Sequence, residues 1–264
     1  MKGLEVALVK LGGSVVTDKS RLKTFAGRNT GGLADELSSY LAGGTDRRVI
    51  VVHGGGSFGH IIAKKFSIRD GFRDTAQIAG FAQVRMDMRE LNARIIESLR
   101  RRSLNAISFP PESLFRIEDG TICSSDAGQA LEAAKIGLIP VSFGDAVMDA
   151  RRTFTILSGD SIMMELSRVA IPSVSVFCTD VDGIFTEDPK AGAGSLLRSI
   201  SASSEVNAGS SSHHDVTGGM KGKLDVLFEV AKNSGRTFVV NGNKRGRLSD
   251  ALNGRKGAGT EVIG

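Results

Sequence analysis

One stretch of this sequence limits the fold more than any other, because it joins a strand, a glycine turn and a helix. Residues 49–52 (VIVV) form a β-branched run typical of a buried strand, and three glycines at 54–56 and Gly59 follow it. The next residues, 61–66, indicate a helix. Glycine has no Cβ, so an anion can reach its backbone N–H groups, and helix N-termini attract phosphate. The stretch therefore predicts an anion-binding turn, with His60 beside it.

A second glycine turn, Lys10-Leu-Gly-Gly-Ser14, follows the first predicted strand. Two later strands end in acidic turns, Ser158-Gly-Asp160 and Thr179-Asp-Val-Asp182. Ligands of open α/β sheets bind beyond the carboxyl ends of the strands. If the two glycine turns follow adjacent strands, they form one anion-binding floor with room for two phosphorylated molecules placed end to end.

Predicted strands and helices alternate along the chain, without an internal repeat or a long linker. This order predicts an α/β fold: a three-layer sandwich with an open, mainly parallel central sheet covered on both faces. A long helix is expected from Thr75 to Arg101. Its Phe81, Val84, Met86 and Met88 are expected mostly in the core, and some of them could line an apolar pocket.

Composition narrows the class of protein and its partners. The 264 residues carry a net charge of +5, and no basic run is interleaved with aromatic residues, so nucleic-acid binding is not expected. Apolar runs are too short to span a membrane, and no signal peptide is expected. The two cysteines, Cys123 and Cys178, make neither a disulfide framework nor a zinc site. We expect a cytoplasmic protein with an anionic small-molecule substrate.

The turns fit phosphoryl transfer better than other chemistry. Neither glycine turn matches the P-loop pattern G-x-x-x-x-G-K-[ST]. Phosphoryl transfer needs in-line placement and positive charge over the moving group. Lys10 and Lys19 could supply that charge, Asp160 could orient Lys10, and Lys223 is a further candidate. No metal site formed by protein side chains is predicted.

Several segments, taken in order, resemble the amino acid kinase superfamily over nearly the whole chain. They are Lys10 to Ser14, Val52 to Ser57, Ser158 to Asp160, Thr179 to Gly183, Asp215 to Met220, and Lys223. Within that superfamily three segments are most similar to isopentenyl phosphate kinases: Gly54 to His60, Gly12 to Lys19, and Val141 to Asp145.

The resemblance implies an activity and an organisation. It implies that the γ-phosphoryl of ATP, carrying Mg²⁺, passes directly to isopentenyl phosphate, giving isopentenyl diphosphate in an archaeal-type mevalonate pathway. Residues 1–170 would then form an N-terminal lobe that binds the acceptor and dimerises. Residues 171–264 would form a C-terminal, nucleotide-binding lobe on the same continuous sheet. A homodimer is expected.

The resemblance also implies roles for individual residues. The expected catalytic residues are Lys10, Lys19, His60 and Asp160, of which Lys19 stabilises the transition state. The acceptor would be bound by Gly55, Gly56, His60 and Gly159. The nucleotide would be bound by Lys10, Leu11, Gly12, Gly13, Ser14, Gly56, Thr179, Asp180, Gly218, Gly219 and Lys223.

Two alternatives stay open at the level of sequence. The first is a kinase similar to fosfomycin kinase, or another kinase for small phosphates or phosphonates. The second is a non-catalytic protein that binds anions or nucleotides on the same fold. Because a pure binder need not keep a transition-state lysine, the joint presence of Lys10, Lys19, Asp160 and Lys223 favours an enzyme.

Overall fold

The computed structural model of the chain describes residues 3–18, 21–187, 194–202 and 219–264, and for residues 219–221 it describes the backbone alone. The strands are β1 (Glu5–Leu11), β2 (Thr17–Asp18), β3 (Thr24–Phe25), β4 (Arg47–His53), β5 (Ala106–Ser108), β6 (Phe115–Glu118), β7 (Thr121–Ser125), β8 (Ile139–Phe143), β9 (Asp145–Asp149), β10 (Thr153–Leu157), β11 (Val174–Thr179), β12 (Ser199–Ser201), β13 (Thr237–Asn241) and β14 (Gly259–Ile263). The helices are α1 (Gly13–Val16), α2 (Gly27–Ala42), α3 (Gly56–Lys65), α4 (Ala76–Arg100), α5 (Pro111–Leu114), α6 (Gly128–Lys135), α7 (Gly159–Ala170), α8 (Gly219–Asn233) and α9 (Arg247–Leu252), with a short 3-10 helix at Ile68–Asp70.

Within these residues, eight strands form a central sheet in the order β12-β14-β13-β11-β1-β4-β8-β5. The strand pairs are parallel except for β13 with β14. Parallel strands put their carboxyl ends on one edge of the sheet, and ligands of such sheets bind beyond that edge. The mainly parallel α/β sheet predicted from the alternating elements is therefore confirmed.

The central strands are apolar on both faces because helices cover both faces. Ala7, Val9 and Leu11 of β1 belong to one core cluster, which includes buried residues of α2, α3, α4 and α9. Val6 and Leu8, which alternate with them, belong to the opposite cluster, together with buried residues of α6, α7 and α8. Successive strand residues point to opposite faces. The expected three layers follow from this alternation.

Two hairpins, β6 with β7 and β9 with β10, pack together beside the central sheet, and the carboxylate of Asp149 joins them. The turn of β6 and β7 has positive φ at Asp119 and Gly120, 51° and 78°, as a two-residue Asp-Gly hairpin turn requires. Asp149, at the end of β9, accepts hydrogen bonds from both of their N–H groups, at 3.1 and 2.7 Å. Burial alone would raise the pKa of Asp149, but backbone donors, these two included, hold that pKa below its ordinary value. The carboxylate therefore stabilises both turns.

Two helices begin earlier than the sequence indicated. Asn29 and Thr30 are residue types that favour the N-cap of a helix, but α2 begins earlier, at Gly27. The side chains bond elsewhere: Thr30 donates to the Ala26 carbonyl at 3.0 Å, and Asn29 donates to the Val15 carbonyl at 2.9 Å. Likewise α3 begins at Gly56 and not near Ile61. His60 therefore lies inside α3 and not in the turn before it.

The last strand of the chain, β14, is not at the edge of the central sheet. β12, a strand of three residues that the sequence did not indicate, pairs with β14 on its outer side. Its two serines flank Ile200, but three residues are too few for an alternating pattern to identify a strand. Pairing with β14 covers an edge that would otherwise be exposed.

Candidate active site

The two glycine turns lie side by side at the carboxyl edge of the sheet. β1 and β4 are neighbours, with Lys10 opposite Val52 and Leu11 opposite His53. The Gly54 N–H donates to the Leu11 carbonyl at 3.0 Å, which links the second turn to the end of β1. A Cβ added to Gly13 would lie 2.4 Å from the backbone nitrogen of Gly56. The backbones of the two turns are thus in direct contact, and only glycine allows it.

A cleft of about 240 Å³ runs along this edge. Most of the residues predicted for the site line it together: Lys10, Gly12, Gly13, Ser14, Gly55, His60, Gly159, Asp160, Thr179, Asp180 and Lys223. Lys10 and His60, which would have lain far apart if the site were misassigned, face the same cavity.

Lys10 and Asp160 form an ion pair inside the cleft. The Lys10 Nζ lies 2.6 Å from Asp160 Oδ1, and the two side chains are only 16% and 18% exposed. Lys10 follows Val6 and Leu8 on the face of β1 that α7 covers, and Asp160 lies in the first turn of α7. Ser158 caps that helix by accepting from the Ser161 N–H at 3.0 Å. The pair therefore holds a partly buried cation between the two glycine turns.

One end of the cleft is apolar beyond a polar mouth. His60, on α3, lies beside Gly55 and Gly59, and the apolar lining consists of Ala63, Val84, Met88 and Ile156. A Cβ added at Gly59 would lie 3.0 Å from the Met88 Sδ. Val84 and Met88 thus line this pocket, as was considered from the sequence, whereas Met86 is 59% exposed. The shape suits a small anion that carries a hydrocarbon group.

The other end of the cleft lies between the first glycine turn and β11. Gly12 donates its N–H to the Cys178 carbonyl at 2.9 Å, which fixes this turn against the end of β11. Thr179 and Asp180, at the end of β11, line this part of the cleft, together with Lys223 of α8.

Five predicted site residues lie elsewhere or are not described. The Leu11 side chain is buried in the core, so only its backbone belongs to the turn. Gly56 lies beneath the cleft, and Gly219 is the first residue of α8. Lys19 and Gly218 are outside the described residues.

His53 supports the second glycine turn, and sequence reasoning overlooked it. Its fully buried ring stacks on Phe143, with centroids 5.2 Å apart, and its Nε2 lies 3.2 Å from the Asn92 Oδ1. Burial lowers the pKa of His53 to about 4, although its hydrogen bonds act in the opposite direction. The signal was present in the sequence: a histidine that ends an apolar strand, two residues after the inward-facing Val51.

Replacing His53 by glutamine should remove a pH dependence of stability. The unfolded His53 takes up a proton below about pH 6.5, whereas the folded residue does so only near about pH 4, so stability is lost as pH falls through this interval. The loss for the wild type should be about 3 kcal/mol, because the pKa is lowered by more than two units. Urea unfolding between about pH 7 and about pH 4.5 measures it.

The wild type is the reference for that measurement. His53→Gln should flatten the wild-type slope of unfolding free energy against pH. An unchanged slope in His53→Gln would refute the assignment.

Asp145 also borders the cleft, and the sequence indicated it only as the end of the segment Val141 to Asp145. Its carboxylate accepts a hydrogen bond from Arg89 Nη1 of α4 at 2.6 Å. Burial raises the pKa of Asp145 to about 7, against the opposing effect of Arg89. Arg89 also pairs with Glu112, which Arg85 contacts as well. This network ties α4 to the floor of the cleft.

Comparisons with known proteins agree with this geometry. The profile of the amino acid kinase family matches residues 5–241. The isopentenyl phosphate kinase of Thermoplasma acidophilum is 33% identical over 245 residues, which cover 92% of this chain and 94% of that protein. The isopentenyl phosphate kinase of Methanocaldococcus jannaschii is 33% identical over 269 residues, covering 97% and 98%.

A solved structure extends the likeness to three dimensions. The protein in "X-ray structures of isopentenyl phosphate kinase" superposes with a TM-score of 0.84 at 27% identity, covering 98% of this chain and 100% of that one. In the described part of the chain, every helix is too short or too polar to cross a membrane. The adjoining glycine turns, the profile match and these relatives lead to one conclusion: the chain belongs to the amino acid kinase family.

Proposed function

We propose that this chain transfers the γ-phosphoryl group of ATP to isopentenyl phosphate, forming isopentenyl diphosphate. The observation that carries the proposal is one cleft with two touching glycine turns, a Lys10–Asp160 ion pair between them and an apolar pocket at one end. The two relatives that are 33% identical over nearly the full chain are isopentenyl phosphate kinases.

The acceptor is assigned to the end of the cleft that contains the apolar pocket. Its phosphate would bind at Gly55 and His60, with Gly56 and Gly159 shaping the floor. The hydrocarbon group would occupy the space between Ala63, Val84 and Met88. A pocket of this kind gains free energy from burying the hydrocarbon, at about 25 cal/mol per Å² of apolar surface.

ATP is assigned to the opposite end. The turn formed by Gly12, Gly13 and Ser14 would bind its phosphates, and Thr179, Asp180 and Lys223 the remainder of the nucleotide. Leu11, Gly218 and Gly219 complete the proposed nucleotide set. Mg²⁺ would arrive on the ATP phosphates, where it neutralises charge during transfer.

The reaction is a direct in-line displacement. An oxygen of the acceptor phosphate attacks the γ-phosphorus, a new P–O bond forms, and the bond to the bridging oxygen breaks with its electron pair leaving on ADP. Lys10 would neutralise the transferred group, and Asp160 would hold Lys10 in place. Lys19 is proposed as a second cation at the transition state.

The proposal extends to organisation and context. Residues 1–170 would form the acceptor lobe and residues 171–264 the nucleotide lobe. We propose a cytoplasmic homodimer that acts in an archaeal-type mevalonate pathway. The exposed Ile78 and Met86 of α4 support an interface on the N-terminal lobe, and light scattering after gel filtration would measure the mass.

The function is tested by assaying purified protein with ATP, Mg²⁺ and isopentenyl phosphate. We expect isopentenyl diphosphate and ADP to form in equal amounts. Phosphorus NMR measures the diphosphate, and a coupled assay measures ADP. Isopentenol, which lacks the phosphate, should not react. Turnover of fosfomycin in place of isopentenyl phosphate would favour the phosphonate kinase. ATP binding without turnover of either acceptor would favour a non-catalytic binder.

A further inference from the structure

The side chain of Thr17 lies between the two glycine turns and bonds to both. Thr17 begins β2 and is only 3% exposed. Its hydroxyl donates to the Gly13 carbonyl, with the oxygens 2.7 Å apart, and accepts from the Ser57 N–H at 3.0 Å. Gly13 belongs to the first turn, and Ser57 to the first turn of α3, directly after the second. One hydroxyl thus connects the two proposed phosphate-binding turns.

The packing around this hydroxyl leaves no room for adjustment. Gly56 has φ of +48°, and a Cβ there would lie 2.0 Å from Thr17 Oγ1 and 2.5 Å from the Gly13 carbonyl oxygen. The second turn can rest on Thr17 only because Gly56 lacks a side chain. The distance between the turns therefore depends on the Thr17 hydroxyl and on the backbone contact of Gly13 with Gly56.

The chain after Thr17 reinforces the contact with Ser57. The Lys23 N–H donates to the Ser57 carbonyl at 3.4 Å, and the Thr24 N–H donates to Ser57 Oγ at 3.3 Å. Lys23 is held in turn by ion pairs with Asp87 and Glu90 of α4, at 2.8 and 2.7 Å. Ser57 is thus bonded by residues on both sides of the segment that joins β2 to β3.

We propose that Thr17 is a positioning residue that sets the separation of the acceptor and the nucleotide. This inference rests on the proposed function, because it assigns the two substrates to the two turns. Each substrate binds to its own turn, so the hydroxyl contributes little to either binding step. In-line transfer, however, depends on the distance between the bound phosphates, and a misplacement of about 1 Å can cost about 100-fold in rate.

The test compares Thr17→Val with a matched control elsewhere in the fold. Valine keeps the shape of threonine but removes both hydrogen bonds. Thr260, on β14, is equally buried and bridges two segments in the same way: it donates to the Leu197 carbonyl at 2.6 Å and accepts from the Ile184 N–H at 2.8 Å. β14 is three strands away from β1 in the sheet.

Both valine variants should lose similar thermal stability, about 2 to 10 °C in Tm, because each leaves two buried polar groups without their partner. Only Thr17→Val should lower kcat, by about 10- to 100-fold, with the KM values for ATP and isopentenyl phosphate nearly unchanged. Thr17→Ser keeps the hydroxyl and should restore most of kcat. Thr260→Val should keep the wild-type kcat.

The outcomes separate this inference from the proposed function. If the wild type does not phosphorylate isopentenyl phosphate, the proposed function fails. If the wild type is active and Thr17→Val has the kcat of Thr260→Val, the positioning role is wrong. A Thr17→Val enzyme with a raised KM for either substrate and a wild-type kcat would also overturn it, since the hydroxyl would then serve binding. If Thr17→Val does not fold, Thr17→Ser gives the test, because serine keeps the hydroxyl. A Thr17→Ser enzyme with less than a tenth of wild-type kcat, a loss of about 1.4 kcal/mol in transition-state stabilisation, would contradict the role.

Discussion

Replacing Lys10 by methionine should lower kcat for isopentenyl phosphate about 100- to 1,000-fold, the range seen when one preorganised charge-stabilising group is removed. Methionine has nearly the length of lysine but no charge, so the change removes the positive charge beside Asp160 and over the Phe177 ring with little change in side-chain length. The loss should fall on kcat more than on KM, because charge builds up on the phosphoryl group mainly in the transition state. Steady-state assays with both substrates varied give the two constants.

Lys135 supplies the control for the Lys10 variant. It pairs with Glu132 of α6 at 2.7 Å, so Lys135→Met also removes one cation from an ion pair, but on an exposed helix. This variant should retain wild-type kcat. A Lys10→Met enzyme with more than about a tenth of wild-type kcat would contradict this role, because the lysine would then stabilise the transition state by less than about 1.4 kcal/mol.

Replacing His60 by glutamine should lower kcat/KM for isopentenyl phosphate about 10- to 150-fold, as expected for losing one hydrogen bond to a charged group. Most of the change should be in the KM for the acceptor, because His60 borders the pocket assigned to it. The KM for ATP should stay near its wild-type value. Initial rates at saturating ATP with varied acceptor give the KM for isopentenyl phosphate. Initial rates at saturating acceptor with varied ATP give the KM for ATP.

Lys64, one turn after His60 on α3, tests whether the general positive charge of that helix matters instead. Lys64→Gln removes one full charge near the helix end, yet it should leave kcat/KM within about twofold at physiological salt, where exposed charges are screened. Equal losses in both variants would attribute the effect to long-range attraction of the anionic acceptor. Unchanged acceptor KM in His60→Gln would remove His60 from the binding site.

Much of the site was predictable because its parts are local features of the sequence. Glycine turns after β-branched runs predict phosphate-binding turns at strand ends, and the order of elements predicts a parallel sheet that gathers those ends on one edge. The Asp119–Gly120 hairpin was predictable for the same reason, since two positive φ angles require those residue types. The resemblance added the roles of individual residues, which no local pattern carries.

The helix starts were less predictable, because side chains found partners outside their own segment. Asn29 and Thr30 are residues that favour helix caps, yet both lie within α2 and donate to backbone carbonyls, of Val15 and of the N-cap residue Ala26. The start of α3 at Gly56 has a different cause. Glycine has low helix propensity, but a Cβ at Gly56 would collide with Thr17, and one at Gly59 would crowd Met88.

By itself, the sequence determined the strands of the central sheet other than β12, the two glycine turns and their common edge, because alternation, β-branching and the lack of a Cβ act within a few residues. Alternation also separates Lys10 from His53 onto opposite faces of the sheet, but which helix covers each face depends on packing between distant segments. Only the tertiary structure decided that Asp160 meets Lys10, that Arg89 meets Asp145 and that Thr17 joins the two turns. Apart from the local bond of Thr17 to Gly13, these contacts join residues 40 to 150 positions apart, and a hydrogen bond at such a separation depends on the packing of the whole sheet with its two helix layers.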